Sequence, residues 1–193
     1  EKGGYDSLSV AGILAQSSNV GVSRIIDENY KKKPMDFINA VLATGFADQL
    51  DFGVSGTMRP MITTPDSKLW SGVTLPWMSI GYATQVPPIY TLNFYNAIAN
   101  EGKMVKPILY KGETEIINPQ IASKENIDSI QWALTLIVTE GLGKPAASEK
   151  VKVAGAPGAS KISIVDDDSA SNTFLEYSVE FCGFFPADNP KFS

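Results

Sequence analysis

Histidine does not occur in the 193 residues of the chain. Its absence excludes Ser-His-Asp and Cys-His catalysis within this chain, and most catalytic zinc sites, because each needs an imidazole. Acyl transfer would have to use a lysine as base, as in the Ser-Lys arrangement. No serine is followed three positions later by lysine, so the local form of that arrangement, Ser-X-X-Lys, is missing too.

Cysteine is nearly absent as well, because only Cys182 is present. A single cysteine cannot form an internal disulfide, and its place in the apolar run "EFCGFFP" is typical of a small buried thiol. No apolar run is long enough to cross a bilayer, and no secretory signal pattern opens the chain. The chain starts at Glu1 without a Met, which we interpret as a processed or excised piece.

Clustered positive charge is also lacking. The formal net charge is -5, and phosphate binding needs clustered cations, so we expect no nucleic-acid partner. The basic run at residues 31–33 is typical of a solvated loop or helix end. With 44% apolar and 19% charged residues, the composition is that of a soluble globular domain with a core.

Hydrophobic periodicity predicts mainly helices in the first two thirds of the chain. Residues 7–30 indicate two helices joined at "SSN", and Ser123 is a typical N-cap for a further helix. The predicted helices are 7–30 with a break at 17–19, 34–50, the segment after Pro88 as far as "NEGK", and 124–138.

Strands are expected in the remaining segments. Residues 51–77 indicate a long surface excursion with short strands. "MVKPILYK" and "TEIINP" predict a hairpin that turns at "GE". Residues 151–193 indicate a strand, an acidic loop and the strand "YSVEFCGFFP".

Four ordered blocks of the chain carry a family resemblance. They are "AQSSNVGVSRI", "MSIGYATQVPPIYTLNFYNAIANEGKMVKP", "IVTEGLGKPA" followed by "VKVAG", and "FCGFFPADNPKFS". Together they resemble the transpeptidase domain of class B penicillin-binding proteins, the cell-division type of peptidoglycan D,D-transpeptidase. The resemblance covers nearly all of residues 1–193 and implies a partial domain, incomplete at both ends.

The resemblance implies an α+β fold of the β-lactamase/D,D-transpeptidase type, with a mainly antiparallel sheet flanked by helices. It also implies acyl transfer from D-Ala-D-Ala stem peptides, in which the serine of Ser-X-X-Lys attacks the penultimate D-Ala carbonyl. Such chemistry needs no metal and no organic cofactor. Because Ser-X-X-Lys precedes the Ser-X-Asn motif in the family, it would lie upstream of Glu1, and this chain is expected to be inactive as it stands.

Within the chain, the resemblance assigns catalytic roles to Ser17 and Asn19 of the Ser-X-Asn motif. Ser17 would relay a proton toward the leaving amine, and Asn19 would hydrogen-bond the substrate amide. An alternative is that both simply cap the following helix, because Ser and Asn are ordinary N-cap residues.

The third family motif, Lys-Thr-Gly-Thr, falls on Ala156, Pro157, Gly158 and Ala159. These are the expected substrate-binding positions, but the cation and both hydroxyls are gone, and a proline within an edge strand also removes a backbone donor. Natural degeneracy and deliberate engineering both fit this departure. A shifted register with Lys161 as the cation is a further reading, which is disfavoured because a shift of five residues turns side chains to the other face.

We therefore expect a penicillin-binding, peptidoglycan-crosslinking D,D-transpeptidase whose parent is membrane-anchored, with this domain on the periplasmic or extracytoplasmic side. The expected partners are peptidoglycan stem peptides and β-lactams, with division or elongation proteins as further candidates. The alternative is a non-catalytic pseudo-transpeptidase that acts as a peptidoglycan-binding or divisome scaffold. The acidic residues 166–168 are more typical of a solvated loop than of a metal site.

Overall fold

The computed structural model describes residues 4–51, 53–163 and 175–193, with the backbone alone at 160–163 and 175–177. Six α-helices and six strands follow one another in this part of the chain. The helices are α1 Val10–Ala15, α2 Asn19–Tyr30, α3 Pro34–Ala43, α4 Thr74–Met78, α5 Pro88–Ala99 and α6 Lys124–Thr139. The strands are β1 Met61–Ile62, β2 Thr84–Gln85, β3 Met104–Val105, β4 Ile116–Asn118, β5 Ala154–Ser163 and β6 Leu175–Phe184, and Lys144–Ala146 form a 3-10 turn.

The helical predictions are confirmed in α1, α2, α5 and α6. Ser123 accepts a hydrogen bond from the Asn126 backbone amide at 3.3 Å, and therefore caps α6 as its sequence position indicates. The prediction of a helix over 34–50 is wrong for residues 44–50, because α3 ends at Ala43. The following residues bend away at Gly45, which adopts φ +82 and closes the helix where a residue with a Cβ would be strained.

Within the described residues, each strand pairs with one antiparallel partner. β1 pairs with β2, β3 with β4, and β5 with β6, so three two-stranded sheets take the place of one larger sheet. The predicted hairpin after α5 is confirmed, although β3 and β4 are short and their register shifts. The short helix α4 was not expected in the 51–77 excursion.

The main core lies between the β5–β6 hairpin and the two longest apolar helices, α5 and α6. Phe184 and Ala154 face each other in the hairpin and are fully buried. They pack against Ile98 of α5 and Leu134 of α6. Burial of these side chains holds β5 in a fixed position against both helices, which places residues 156–159 at the edge of the core.

Close backbone approach fixes the geometry of the hairpin. A Cβ on Gly183 would lie 2.3 Å from the Ala154 carbonyl oxygen, and one on Gly155 would lie 2.5 Å from the Cys182 carbonyl oxygen. The Phe181 ring lies against both glycines. The glycines are therefore needed for packing in this hairpin.

Candidate functional site

Ser17 and Asn19 lie at the turn between α1 and α2. Ser17 has φ 48, a left-handed conformation that costs a non-glycine residue energy and is often found at functional positions. Ser18 is only 4% exposed and its hydroxyl accepts from the Gly21 amide at 3.2 Å, so Ser18 is the N-cap of α2. The capping alternative for Ser17 and Asn19 is therefore wrong. Both are exposed, and neither side chain hydrogen-bonds to another described residue.

The position of this turn depends on α6. The Leu142 amide, just beyond α6, donates to the Ala15 carbonyl at 3.0 Å, and a Cβ on Gly141 would lie 2.3 Å from the same oxygen. Because α6 also packs on β5, one helix positions both candidate motifs. No hydrogen bond between described residues joins Ser17 or Asn19 to residues 156–159.

The proposed third-motif positions, residues 156–159, lie within β5, so the strand predicted there is confirmed. Ala156 pairs with Cys182, Pro157 with Phe181, Gly158 with Glu180, and Ala159 with Val179. The ladder continues through Pro157, which is compatible with an edge strand whose missing amide faces away from β6. Alternation along the strands puts Ala156 and Gly158 on the same face as Cys182 and Glu180.

That face opens onto a cavity of about 820 Å³ between the hairpin and α5. Its walls are mostly apolar, and among the described residues that line it Glu180 is the only charged one. The apolar lining includes Phe46, Val86, Ile89, Leu92 and Ala156. The described part of the cavity wall thus contains no cation to bind a carboxylate.

Two titratable groups beside Glu180 are held in their neutral forms. Burial, followed by the charges of Cys182 and Glu180, raises the pKa of Tyr95 to about 12. Burial, then the Glu180 carboxylate, also raises the pKa of the Cys182 thiol. A raised pKa disfavours the thiolate and therefore argues against a nucleophilic role for Cys182.

Tyr95 and Glu180 were not predicted as site residues. Tyr95 fits the apolar stripe of α5, and Glu180 alternates with apolar residues along β6, so each has an ordinary structural explanation in the sequence. Only the packing of α5 on β6 brings them together at one cavity.

The remaining sequence expectations concern metal sites and Lys161. Residues 166–168 and the Lys161 side chain lie outside the described residues, so the solvated acidic loop stays a prediction and the shifted register stays a disfavoured alternative. Across 4–51, 53–163 and 175–193, no group of His, Cys, Asp and Glu is arranged to hold a metal ion. In the same ranges, every helix is too short or too polar to span a bilayer.

Comparison with known families matches residues 2–193 to the penicillin binding protein transpeptidase domain. Among curated proteins, the chain is 26% identical to the peptidoglycan D,D-transpeptidase FtsI of Buchnera aphidicola, over 98% of this chain and 32% of that protein. The chain thus spans about a third of the length of this relative.

Solved structures show the same fold. The transpeptidase domain of penicillin-binding protein 3 from Burkholderia pseudomallei superposes with a TM-score of 0.80 at 23% identity, covering 97% of this chain and 55% of that one. A mycobacterial penicillin-binding protein 3, solved in complex with ampicillin, superposes with a TM-score of 0.74 at 21% identity. The superposition covers 95% of this chain and 43% of that one. The predicted α+β, transpeptidase-like fold is therefore confirmed.

Proposed function

Because the chain belongs to the penicillin-binding protein transpeptidase domain family, we propose that it forms the stem-peptide-binding part of a peptidoglycan D,D-transpeptidase. Ser17 and Asn19 act in acyl transfer, and residues 156–159 border the bound peptide. The attacking serine comes from a Ser-X-X-Lys segment that these residues do not contain.

The observation that supports this function is the division of roles at the turn before α2. Ser18 alone meets the structural need for a cap, which leaves Ser17 and Asn19 exposed with polar groups available to a ligand. A hydroxyl and an amide exposed on the same turn can move a proton and hold a peptide amide. The strained φ of Ser17 is consistent with a position kept for function rather than stability.

The proposal includes a setting and partners. By the family resemblance, the longer protein is membrane-anchored, the domain faces the periplasm or outer surface, and peptidoglycan stem peptides and β-lactams bind to it. Division or elongation proteins are further proposed partners. The second candidate function is a non-catalytic peptidoglycan-binding or divisome scaffold, and it is favoured by the loss of the cation and hydroxyls at residues 156–159.

A chimera separates these two functions. Residues 2–193 replace the matching segment of the mycobacterial protein that was solved with ampicillin, so that the host supplies the remainder of the domain. Intact mass after incubation with ampicillin then reports acylation. Transpeptidase function predicts a stoichiometric adduct that Ser17→Ala suppresses and the matched variant Ser18→Ala preserves. A folded chimera that forms no adduct supports the scaffold, and an adduct insensitive to Ser17→Ala contradicts the proposed role of Ser17.

A further inference from the structure

The turn that carries Ser17 is built on the last turn of α1. The Ser17 amide donates to the Leu14 carbonyl at 3.0 Å, and the Ser18 amide donates to the Ile13 carbonyl at 2.9 Å. With Ser17 at φ 48, these two bonds form a Schellman motif, in which the left-handed position is usually glycine. The backbone of Ser17 is therefore fixed relative to α1, and a movement of the end of α1 moves the Ser17 hydroxyl with it.

The end of α1 is held in turn by the segment that follows α6. The Leu142 amide donates to the Ala15 carbonyl at 3.0 Å, although the two residues are far apart in sequence. Among the described residues, no other backbone hydrogen bond joins residues 9–18 to a segment beyond α2. Because Ala15 is buried, loss of this donor would leave its carbonyl with little access to water as a replacement.

Gly141 permits the close approach because it has no Cβ. A Cβ at this position would overlap the Ala15 carbonyl oxygen and lie 2.9 Å from the carbonyl carbon, which is well inside the optimal separation of two carbon atoms. Gly141 does not adopt a positive φ, so the requirement is for space rather than for a special backbone conformation. A side chain at position 141 must therefore displace α1 or break the hydrogen bond between Leu142 and Ala15.

The same segment is tied to β5 through α6. The Ile137 carbonyl accepts from the Gly141 amide at 3.1 Å and from the Gly143 amide at 2.9 Å. Ile137 also belongs to the same buried core cluster as Ala154, the first residue of β5. A continuous series of contacts thus runs from β5 through Ile137 and Gly141 to the end of α1 and the Ser17 turn.

We propose that Gly141 is a positioning residue for acyl transfer, because its close approach to Ala15 sets where the Ser17 hydroxyl lies relative to β5. This role rests on the proposed function, in which Ser17 moves a proton. A displacement of about 1 Å at a reacting group can lower a rate by about a hundredfold. One added methyl group at position 141 is therefore expected to slow acylation, although every residue of the two motifs is unchanged.

The chimera described above tests this role with Gly141→Ala and the matched control Gly143→Ala. The atoms nearest to a Cβ on Gly143 all belong to Ile137, at 3.0–3.2 Å, so the control adds the same methyl group against α6 rather than against α1. We expect Gly141→Ala to lower the limiting rate of ampicillin acylation at least about tenfold. Gly143→Ala should leave that rate within about twofold.

A second background separates positioning from general damage to the fold. In the chimera that carries Ser17→Ala, longer incubation measures the residual rate of acylation. Gly141→Ala should lower that residual rate by less than about threefold, because the hydroxyl that it would misplace is already gone. A merely structural role would lower the rate by the same factor with and without Ser17, and equal factors in the two backgrounds would overturn the proposal.

Hydrogen exchange followed by mass spectrometry gives a readout that needs no acylation. In peptides that cover the turn between α1 and α2, the amides of Ser17 and Ser18 should exchange at least about threefold faster in Gly141→Ala than in Gly143→Ala, since one supporting hydrogen bond is weakened. An ester in place of the Gly141–Leu142 peptide bond removes the Leu142 donor without adding a methyl group, and it should have the same effect if Gly141→Ala does not fold.

The two readouts distinguish failure of this role from failure of the proposed function. A folded chimera that forms no adduct contradicts the proposed function and, with it, the catalytic consequence of Gly141. An intact adduct together with unchanged exchange in Gly141→Ala and in the ester overturns the role of Gly141 alone.

Discussion

Gly158 and Glu180 are register partners in the β5–β6 hairpin, and a Cβ on Gly158 would lie 2.9 Å from both Cγ and Oε1 of Glu180. By the family resemblance, Gly158 is the one residue of the proposed third motif that this chain keeps. Its neighbour across the hairpin is an acid, while the motif lysine is replaced by Ala156. The cavity wall beside the proposed motif therefore carries the Glu180 carboxylate and no cation among its described residues.

Two glycine substitutions in this hairpin should lower the free energy of unfolding by different amounts. Gly158→Ala meets only the flexible Glu180 side chain, which can rotate away, so we expect a loss of less than about 1 kcal/mol in the free energy of unfolding. Gly183→Ala places a Cβ 2.3 Å from the Ala154 carbonyl oxygen, and the backbone must shift, at a cost of about 1–3 kcal/mol or more. Urea unfolding of both variants measures the difference, and equal losses would show that the hairpin is not packed as described.

The adjacent serines before α2 should separate stability from function. Ser18→Ala removes a buried N-cap hydroxyl and should lower the free energy of unfolding by about 1 kcal/mol. Ser17→Ala removes an exposed hydroxyl with no described partner, so we expect a change within about 0.5 kcal/mol. Denaturation midpoints of the two variants test this assignment, which fails if Ser17→Ala is the more destabilising change.

Tyr95 should make the protein less stable at alkaline pH. Its pKa is raised from 10.0 to about 12 in the folded state, so above pH 10 the unfolded chain loses the phenol proton while the folded chain keeps it. The stabilisation is fully present below pH 10 and is lost as the pH rises toward about 12, by roughly 2 kcal/mol. Cys182 acts in the same direction, because its pKa is also raised.

The measurement is the free energy of unfolding as a function of pH for the wild type and Tyr95→Phe. The variant lacks the ionisable phenol and should show a shallower alkaline decline, although it retains Cys182. Identical pH profiles for the two proteins would mean that Tyr95 is not buried beside Glu180.

Local signals were sufficient to predict most of the helices but not the cavity. The cap Ser123 lies next to apolar periodicity, and such signals are contained within a few residues. At α2 the same signals pointed to Ser17 and Asn19 as possible caps, whereas the cap is Ser18. The end of α3 was missed because Gly45 closes the helix inside a pattern that continues to look amphipathic. Tyr95 and Glu180 were missed because their proximity arises from the packing of α5 on β6, which no local pattern encodes.

The central claim is that residues 156–159 keep the place of the third motif and have lost its chemistry. The most direct test is the rate of ampicillin acylation of the chimera before and after Ala156→Lys, Pro157→Thr and Ala159→Thr are introduced together. Restoring a cation and two hydroxyls should raise the rate at least about tenfold, since charge-assisted hydrogen bonds to a carboxylate are strong. An unchanged rate in a folded, restored chimera would contradict the account, because it would show that these positions do not contact the ligand.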